Sequence, residues 1–145
     1  MFSIFQPTRT EVSMLNKNNS GSVNNWAYVV MAILAVNKFT LEDVFALSKK
    51  LEANGLFDLH NLASWDFPKI FSKLKQSGYN KPDFVVGLLT ERLMSLGELT
   101  KNIHENEKIL NNGSNQEVAD LLLEVKGIGP VVLQNILLLR DKSKQ

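Results

Sequence analysis

Residues 121–140, LLLEVKGIGPVVLQNILLLR, are the most informative segment of the sequence for the fold. Two apolar runs flank the segment Gly127-Ile128-Gly129-Pro130. Glycine adopts backbone angles that other residues avoid, and proline suits the first turn of a helix. We therefore predict that Gly127 and Gly129 form a hairpin and that a second helix begins at about Pro130. Leu122 and Val125 would then pack against Leu133, Ile136 and Leu137 of this returning helix.

The hairpin loop is itself a candidate binding site. Small residues there expose backbone N–H groups at the positive end of the second helix, which favours an anion. A DNA phosphate fits such a site, and Lys126 would add a cation beside it. The predicted DNA-binding residues are Lys126, Gly127, Ile128, Gly129, Pro130 and Val131. The alternative is a plain turn between two helices.

Helix signals recur along the rest of the chain. The apolar segment from Trp26 to Val36 predicts a central buried helix. A second helix is predicted from Thr40, with Asp43 as its capping partner, to Gly55. Helical sequence is also predicted between residues 58 and 78, with Pro68 in a first turn and Gly78 as a stop, and from Asp83 to about Leu96. A Ser114–Glu117 capping box predicts the start of another helix, which continues through Glu124. No segment alternates with period two for long enough to form a sheet.

These patterns predict an all-α protein with one helical domain. We expect about six to eight helices in residues 24–145, with a helix-hairpin-helix at about residues 115–140. The polar segment NKNNSGSVNN indicates that residues 1–23 form an N-terminal arm or loop.

Composition excludes several classes of protein. The 145 residues include no cysteine, which excludes disulfides, thiol catalysis, and zinc or iron–sulfur sites built on cysteine. His60 and His104 stand apart, so we expect no metal and no cofactor. No apolar run approaches the roughly 18 residues that span a membrane, and the N-terminus does not read as a signal peptide. We therefore expect an intracellular location, in the cytoplasm, nucleoid or nucleus.

The net charge of +1 argues against a strongly basic nucleic-acid-binding protein, but the charges are unevenly distributed. Four lysines against one aspartate give residues 66–81 a charge of +3, and residues 121–145 carry +2. Between them, seven acidic and three basic residues give residues 82–120 a charge of −4. Two basic segments around an acidic one would suit a polyanion site on one face. The alternative is ordinary surface lysines.

The hairpin stretch resembles the helix-hairpin-helix of the base-excision DNA glycosylases, the superfamily that includes endonuclease III. Upstream, NNWAYVVMAILAVN (24–37) is similar to the first core helix of that fold. FPKIFSKLKQSGYNKPDFVVGLL (67–89) is similar to the family's helix that ends in a Gly-Tyr-Asn turn before another helix. The resemblance covers roughly Asn24 to Arg140. It implies contact with the phosphates of double-stranded DNA and a role in base-excision repair.

Several positions depart from the pattern of that superfamily. Lyase members place a Schiff-base lysine two residues after the second hairpin glycine, where this chain has Val131. Leu133 occupies the position where the superfamily usually has a small alanine. Pro82 occupies the position of a usual lysine, and Lys81 lies one position earlier. The family's catalytic aspartate lies farther beyond the hairpin than Gln145, and the cysteines of its cluster-bearing members are missing. We therefore expect a DNA-binding domain that is catalytically incomplete.

The remaining polar and aromatic candidates do not form a self-contained active site. Asp120, Glu124 and Asp141 are typical of surface carboxylates, Asp141 within a polar tail, and His104 of an exposed histidine. An extruded base could stack on one of three aromatic residues, although core or edge packing is the more usual role for each: Trp26, Trp65 and Tyr79.

Two alternative functions remain open at this point. One is a DNA N-glycosylase whose aspartate lies in a following segment or a partner chain, without imine chemistry at Val131. The other is a helical protein-interaction module or homodimer, because Leu137, Leu138 and Leu139 cannot all face one core. Lesion specificity, base preference and oligomeric state are left open by the sequence.

Overall fold

The structure is a computed structural model that describes residues 26–35 and 40–143, in which all regular elements are helical. These elements are α1 (Trp26–Leu34), α2 (Leu41–Ala46), α3 (Ser48–Ala53), α4 (Leu59–Ser64), α5 (Phe67–Gln76), α6 (Asp83–Gly97), a 3-10 helix (Glu98–Asn102), α7 (Ile103–Asn112), α8 (Asn115–Leu122) and α9 (Pro130–Ser143).

The prediction of an all-α protein is confirmed. Only Leu47 separates α2 from α3, and if these two are counted as one bent helix the described residues contain eight α-helices. No described helix is both long enough and apolar enough to cross a membrane. The predicted arm of residues 1–23 and the predicted helix end at Val36 lie outside the described residues.

The helix α1 is the centre of the core. All nine of its residues are buried, as its uniformly apolar sequence predicts. It contacts α2, α6 and α9, so elements from both ends of the described chain close around it. Burying a large apolar side chain contributes about 1.5–3 kcal/mol, so the large residues of this helix contribute strongly to hydrophobic stabilisation.

The long helix α6 organises the second half of the core and packs against α4 and α5. At its last residue, Gly97, a Cβ atom would lie 2.7–2.8 Å from backbone atoms of Leu62 and Ala63 in α4. A side chain at this position would therefore force the two helices apart. The opposite face of α6 is not covered by any described element and carries the exposed residues Phe84 and Leu88.

Two helices begin with the predicted capping boxes. The Thr40 hydroxyl accepts from the Asp43 amide at 3.2 Å, and the Asp43 carboxylate accepts from the Thr40 amide at 2.9 Å. Ser114 and Glu117 make the same reciprocal pair at 3.2 and 2.9 Å. Each box satisfies backbone donors that a helix start leaves open. These boundaries therefore follow directly from local sequence.

The corner between α7 and α8 was not predicted, and Arg140 holds it together. Arg140 is only 5% exposed. Its Nε donates to the Leu110 carbonyl at 2.7 Å, one terminal nitrogen donates to Asn115 Oδ1 at 3.2 Å, and the other donates to the Gly113 carbonyl. Arg140 contributes to the positive charge of residues 121–145, but this charge is used inside the protein.

The chain's two tyrosines are both buried in the core. The Tyr79 hydroxyl donates to the carbonyl of Leu34, the last residue of α1, at 2.6 Å. The Tyr28 hydroxyl has no hydrogen-bond partner among the described residues. Burial raises the pKa of both phenols, and at Tyr28 it outweighs the opposing charge of Arg140. Trp26 is buried as well, so core packing is confirmed for Trp26 and Tyr79.

Candidate nucleic-acid interface

The turn between α8 and α9 is a tight hairpin anchored by apolar side chains. The Val125 amide donates to the Leu122 carbonyl at 3.0 Å, and the Ile128 amide donates to the Val125 carbonyl at 3.2 Å. These three side chains and Ile136 of α9 are buried. The predicted start of the returning helix at Pro130 is confirmed. The side chains thus hold the loop in a fixed shape and leave its backbone at the surface.

The two hairpin glycines have different roles. Gly127 has φ +89°, a conformation that favours glycine, and a Cβ there would lie 2.3–2.7 Å from the Arg92 side chain. Gly129 lies outside the left-handed region, and a Cβ there would have no atom within 4 Å. The prediction that both glycines adopt special angles is therefore confirmed for Gly127 and wrong for Gly129. The fold itself gives no reason for glycine at position 129.

Several backbone amides at the hairpin have no acceptor among the described residues and could bind an anion. The Lys126 amide donates to Ser95 Oγ at 3.0 Å, and the Leu133 amide donates to the Gly129 carbonyl at 2.9 Å. Within the described chain, no acceptor is found for the amides of Gly129, Val131 and Val132. These donors stand at the start of a 14-residue helix, whose dipole is positive at that end.

Arg92 of α6 packs its side chain against the loop. Its side-chain stem lies against Gly127, and its Nε is buried without a hydrogen-bond partner. Its guanidinium makes no hydrogen bond or ion pair with any residue that the structure describes. Sequence reasoning missed Arg92 because it precedes the hairpin by 35 positions and lies in the acidic segment. Its charge is consequently available to a ligand.

The predicted cation Lys126 is exposed and partly neutralised. Its Nζ lies 3.6 Å from Glu91 Oε2, and both side chains are more than half exposed. Exposed ion pairs of this kind contribute about 0–1 kcal/mol, so an incoming phosphate could displace Glu91 at little cost. Among the other predicted residues, Val131 projects into solvent and is 72% exposed, whereas the Ile128 side chain is buried.

A shallow cleft of about 350 Å³ lies beside the hairpin, lined by Ser95, Glu98, Leu99, Lys101, Asn102, Asn106, Leu121, Glu124 and Val125. Glu98 and Lys101 form an ion pair at 2.7 Å, and their hydrogen bond raises the pKa of Lys101. Glu98 and Glu124 are exposed. A catalytic acid is usually tuned by burial away from water. The carboxylates of this cleft are exposed and do not have that environment.

The other predicted residues are distributed over the surface. His60, His104, Asp120 and Asp141 are exposed, and Asp141 belongs to α9 rather than to a polar tail. Lys69 and Lys73 lie over the Trp65 ring, with Nζ 4.8 and 5.9 Å from its centroid. No group of three metal-ligating side chains occurs in residues 26–35 and 40–143.

No protein-family model, curated protein or solved structure matches this chain. The geometry of the hairpin is therefore what bears on function.

Proposed function

We propose that the hairpin binds the phosphate backbone of double-stranded DNA. The observation that carries the proposal is the open space at Gly129, where a Cβ atom would meet nothing within 4 Å. Neither packing nor backbone angle requires glycine there, so a side chain would cost the fold little. A ligand that approaches the backbone closely does require it, because a side chain would stand between the ligand and the amides.

The donors around Gly129 suit a phosphate oxygen. The amides of Gly129, Val131 and Val132 stand together at the positive end of α9, and hydrogen bonds from fixed amides to an anion are stronger than those to a neutral group. Arg92 and Lys126 place two positive charges beside them. None of these groups reads a base, so the contact would position DNA without sequence preference.

The proposal is confined to binding. The acidic residues around the hairpin, Glu91, Glu98 and Glu124, are exposed. A role in base-excision repair rests on the resemblance to helix-hairpin-helix glycosylases, and the position of their Schiff-base lysine is held here by the exposed Val131. A DNA N-glycosylase completed by another segment or a partner chain is the further activity that this resemblance implies.

The test is duplex binding by Gly129→Val, followed by fluorescence anisotropy at low salt. The added side chain has room in the folded protein but covers the amides, so we expect about a tenfold loss of affinity, as for the loss of a charged hydrogen bond. Ala53→Val is the matched control, because Ala53 is an exposed residue of α3. It adds two carbon atoms, against three in Gly129→Val, at a site away from the hairpin and should bind as the wild type does.

Wild-type affinity in a folded Gly129→Val variant would contradict the proposal. Gly127 is unsuited to this test, because a side chain there would disturb the backbone and Arg92 in the absence of any ligand. Circular dichroism and thermal unfolding of each variant would confirm that the helices are intact.

A helical protein-interaction module remains the second candidate. Leu123 and Val131, near the two ends of the hairpin turn, are 50% and 72% exposed, and such apolar residues are common in protein interfaces. The leucines that first suggested this function carry less weight, because Leu139 is buried and Leu137 and Leu138 are partly buried. Self-association in sedimentation velocity that Leu123→Lys abolishes, without DNA affinity, would favour this candidate.

A further inference from the structure

The outer face of α6 carries an exposed aromatic and aliphatic patch. Phe84 is 79% exposed, and Leu88, one turn later, is 42% exposed. Phe67 of α5 joins them, because the end of its ring lies 3.5 Å from the place of a Cβ on Gly87. Phe67 in turn stacks on Phe71, with ring centroids 6.0 Å apart. Exposed apolar residues that lie together on two adjacent helices form a candidate binding surface.

This patch continues into the hairpin along a single stripe of α6. Phe84, Leu88 and Arg92 follow one another at intervals of four residues, so they share one side of the helix. With a rise of 1.5 Å per residue, the distance from Phe84 to Arg92 along the axis is about 12 Å. Arg92 lies against Gly127. A ligand seated at the hairpin can therefore extend over Leu88 and Phe84.

The carboxylates at the two ends of the stripe, Asp83 and Glu91, are each paired with a lysine. At the Phe84 end, Lys75 pairs with Asp83, and its Nζ lies 5.3 Å from the centroid of the Phe71 ring. At the hairpin end, Lys126 pairs with Glu91, and Arg92 has no acidic partner in the part of the chain that the structure describes. The cation Arg92 at the hairpin end and the exposed Phe84 ring at the other end match a phosphate and a base of an unpaired strand.

We propose that the outer face of α6 is a stacking surface for unpaired nucleotides, adjacent to the phosphate site at the hairpin. This inference rests on the proposed function and deepens it: the substrate becomes DNA with an unpaired segment next to a duplex. Bases stack on the exposed Phe84 ring and pack against Leu88, while the backbone passes Arg92. Aromatic stacking of this kind tolerates any base, because every base has a flat face.

The test compares a blunt duplex with the same duplex carrying a single-stranded extension, measured by fluorescence anisotropy. We expect the wild type to bind the extended duplex about tenfold more tightly, the size of one stacked base. Phe84→Leu should lose this gain and bind the blunt duplex as the wild type does, because leucine is apolar but has no ring. Phe84→Trp should keep the gain, and both replacements suit a side chain that is mostly exposed.

Phe84→Trp also reports stacking directly. Its added emission should be quenched by the extended duplex and not by the blunt one, with the wild type giving the background from Trp26 and Trp65. A gain that Phe84→Leu retains, or the absence of quenching, would overturn the inference whether or not the blunt duplex binds. Failure of the hairpin proposal is seen separately, as blunt-duplex affinity that Gly129→Val leaves unchanged.

A second copy of this chain is the competing occupant of the patch. Self-association that Phe84→Leu preserves and Phe84→Lys abolishes, with no gain from the single-stranded extension, would overturn the inference in favour of a dimer interface.

Discussion

At the scale of single residues, the two glycines of the hairpin have different roles. Gly127 is required by its positive φ and by the Arg92 side chain that occupies the space of a Cβ atom. Gly129 is required by neither. A sequence motif shows both glycines alike, and only the surrounding atoms distinguish the glycine that shapes the turn from the one that keeps its backbone accessible.

This difference predicts opposite effects of two alanine substitutions on stability. Gly127→Ala should lower the free energy of unfolding by about 1–3 kcal/mol, because the left-handed conformation is unfavourable for alanine and Arg92 must move. Gly129→Ala should change it by no more than about 1 kcal/mol, in the stabilising direction. Urea denaturation measures both values, and equal destabilisation by the two variants would contradict this account of the hairpin.

The two buried tyrosines also predict a contrast. Tyr79→Phe should destabilise the protein by about 1–2 kcal/mol, because the buried Leu34 carbonyl loses its donor. Tyr28→Phe should be neutral or stabilising, because it removes a buried hydroxyl that has no partner among the described residues. Thermal or chemical unfolding of both variants distinguishes them, and a larger loss in Tyr28→Phe would show that its hydroxyl is bonded.

High pH should destabilise the protein, because Tyr28 and Tyr79 are buried. Burial raises the pKa of Tyr28 and Tyr79 above the ordinary value near 10. The unfolded chain then releases these protons before the folded chain does, so the stability from both groups is intact below about pH 10 and falls as the pH rises above it. Tyrosinate absorbance should appear together with unfolding, and its appearance near pH 10 in a folded protein would contradict the burial.

At the scale of helices, local signals predicted most boundaries and missed one corner. Capping boxes and apolar periodicity lie within a few residues of the boundaries they specify, which is why the starts of α2 and α8 were predictable. The helix α7 was not predicted, because only three of its ten residues are apolar, although these three (Ile103, Ile109 and Leu110) all face the core. Its end is held instead by Arg140, 30 residues after Leu110, and no local pattern shows that contact.

Arg140 and Arg92 differ in their hydrogen bonds, so replacing each with methionine should affect stability differently. Arg140→Met should lower the free energy of unfolding by about 3 kcal/mol, because the carbonyls of Leu110 and Gly113 lose a charged donor. Arg92→Met should cost less than about 1 kcal/mol, because methionine keeps the apolar contact with Gly127 and removes an Nε that has no partner. Chemical denaturation measures both, and a similar loss in the two variants would contradict these roles.

At the scale of the whole molecule, several charges of the two basic segments make contacts within the fold. Lys69 and Lys73 lie over Trp65, Lys75 pairs with Asp83, and Arg140 is buried. The candidate site instead combines the hairpin, which the sequence predicted, with Arg92 and Ser95 of α6, which it did not. These residues reach the loop only because α6 packs beside it, and such contacts across the fold are not visible in linear spacing.

This arrangement predicts a modest salt dependence for DNA binding. Two cations, Arg92 and Lys126, lie at the hairpin, and each phosphate neutralised changes the slope of log affinity against log salt by about −0.9. We expect a slope of about −2, which Arg92→Gln should bring closer to −1. Lys49→Gln removes the same charge from an exposed position in α3 and should leave the slope unchanged. A slope near zero in the wild type would contradict phosphate binding.

The most direct test of phosphate binding at the hairpin is backbone amide NMR of the isotope-labelled protein, titrated with a short blunt duplex. Phosphate binding at the hairpin predicts that the amide signals of Gly129, Val131 and Val132 shift most and return as salt is added, because these N–H groups donate to a phosphate. Duplex binding that shifts other amides and leaves these three unchanged would contradict it, as would the absence of any shift at low salt.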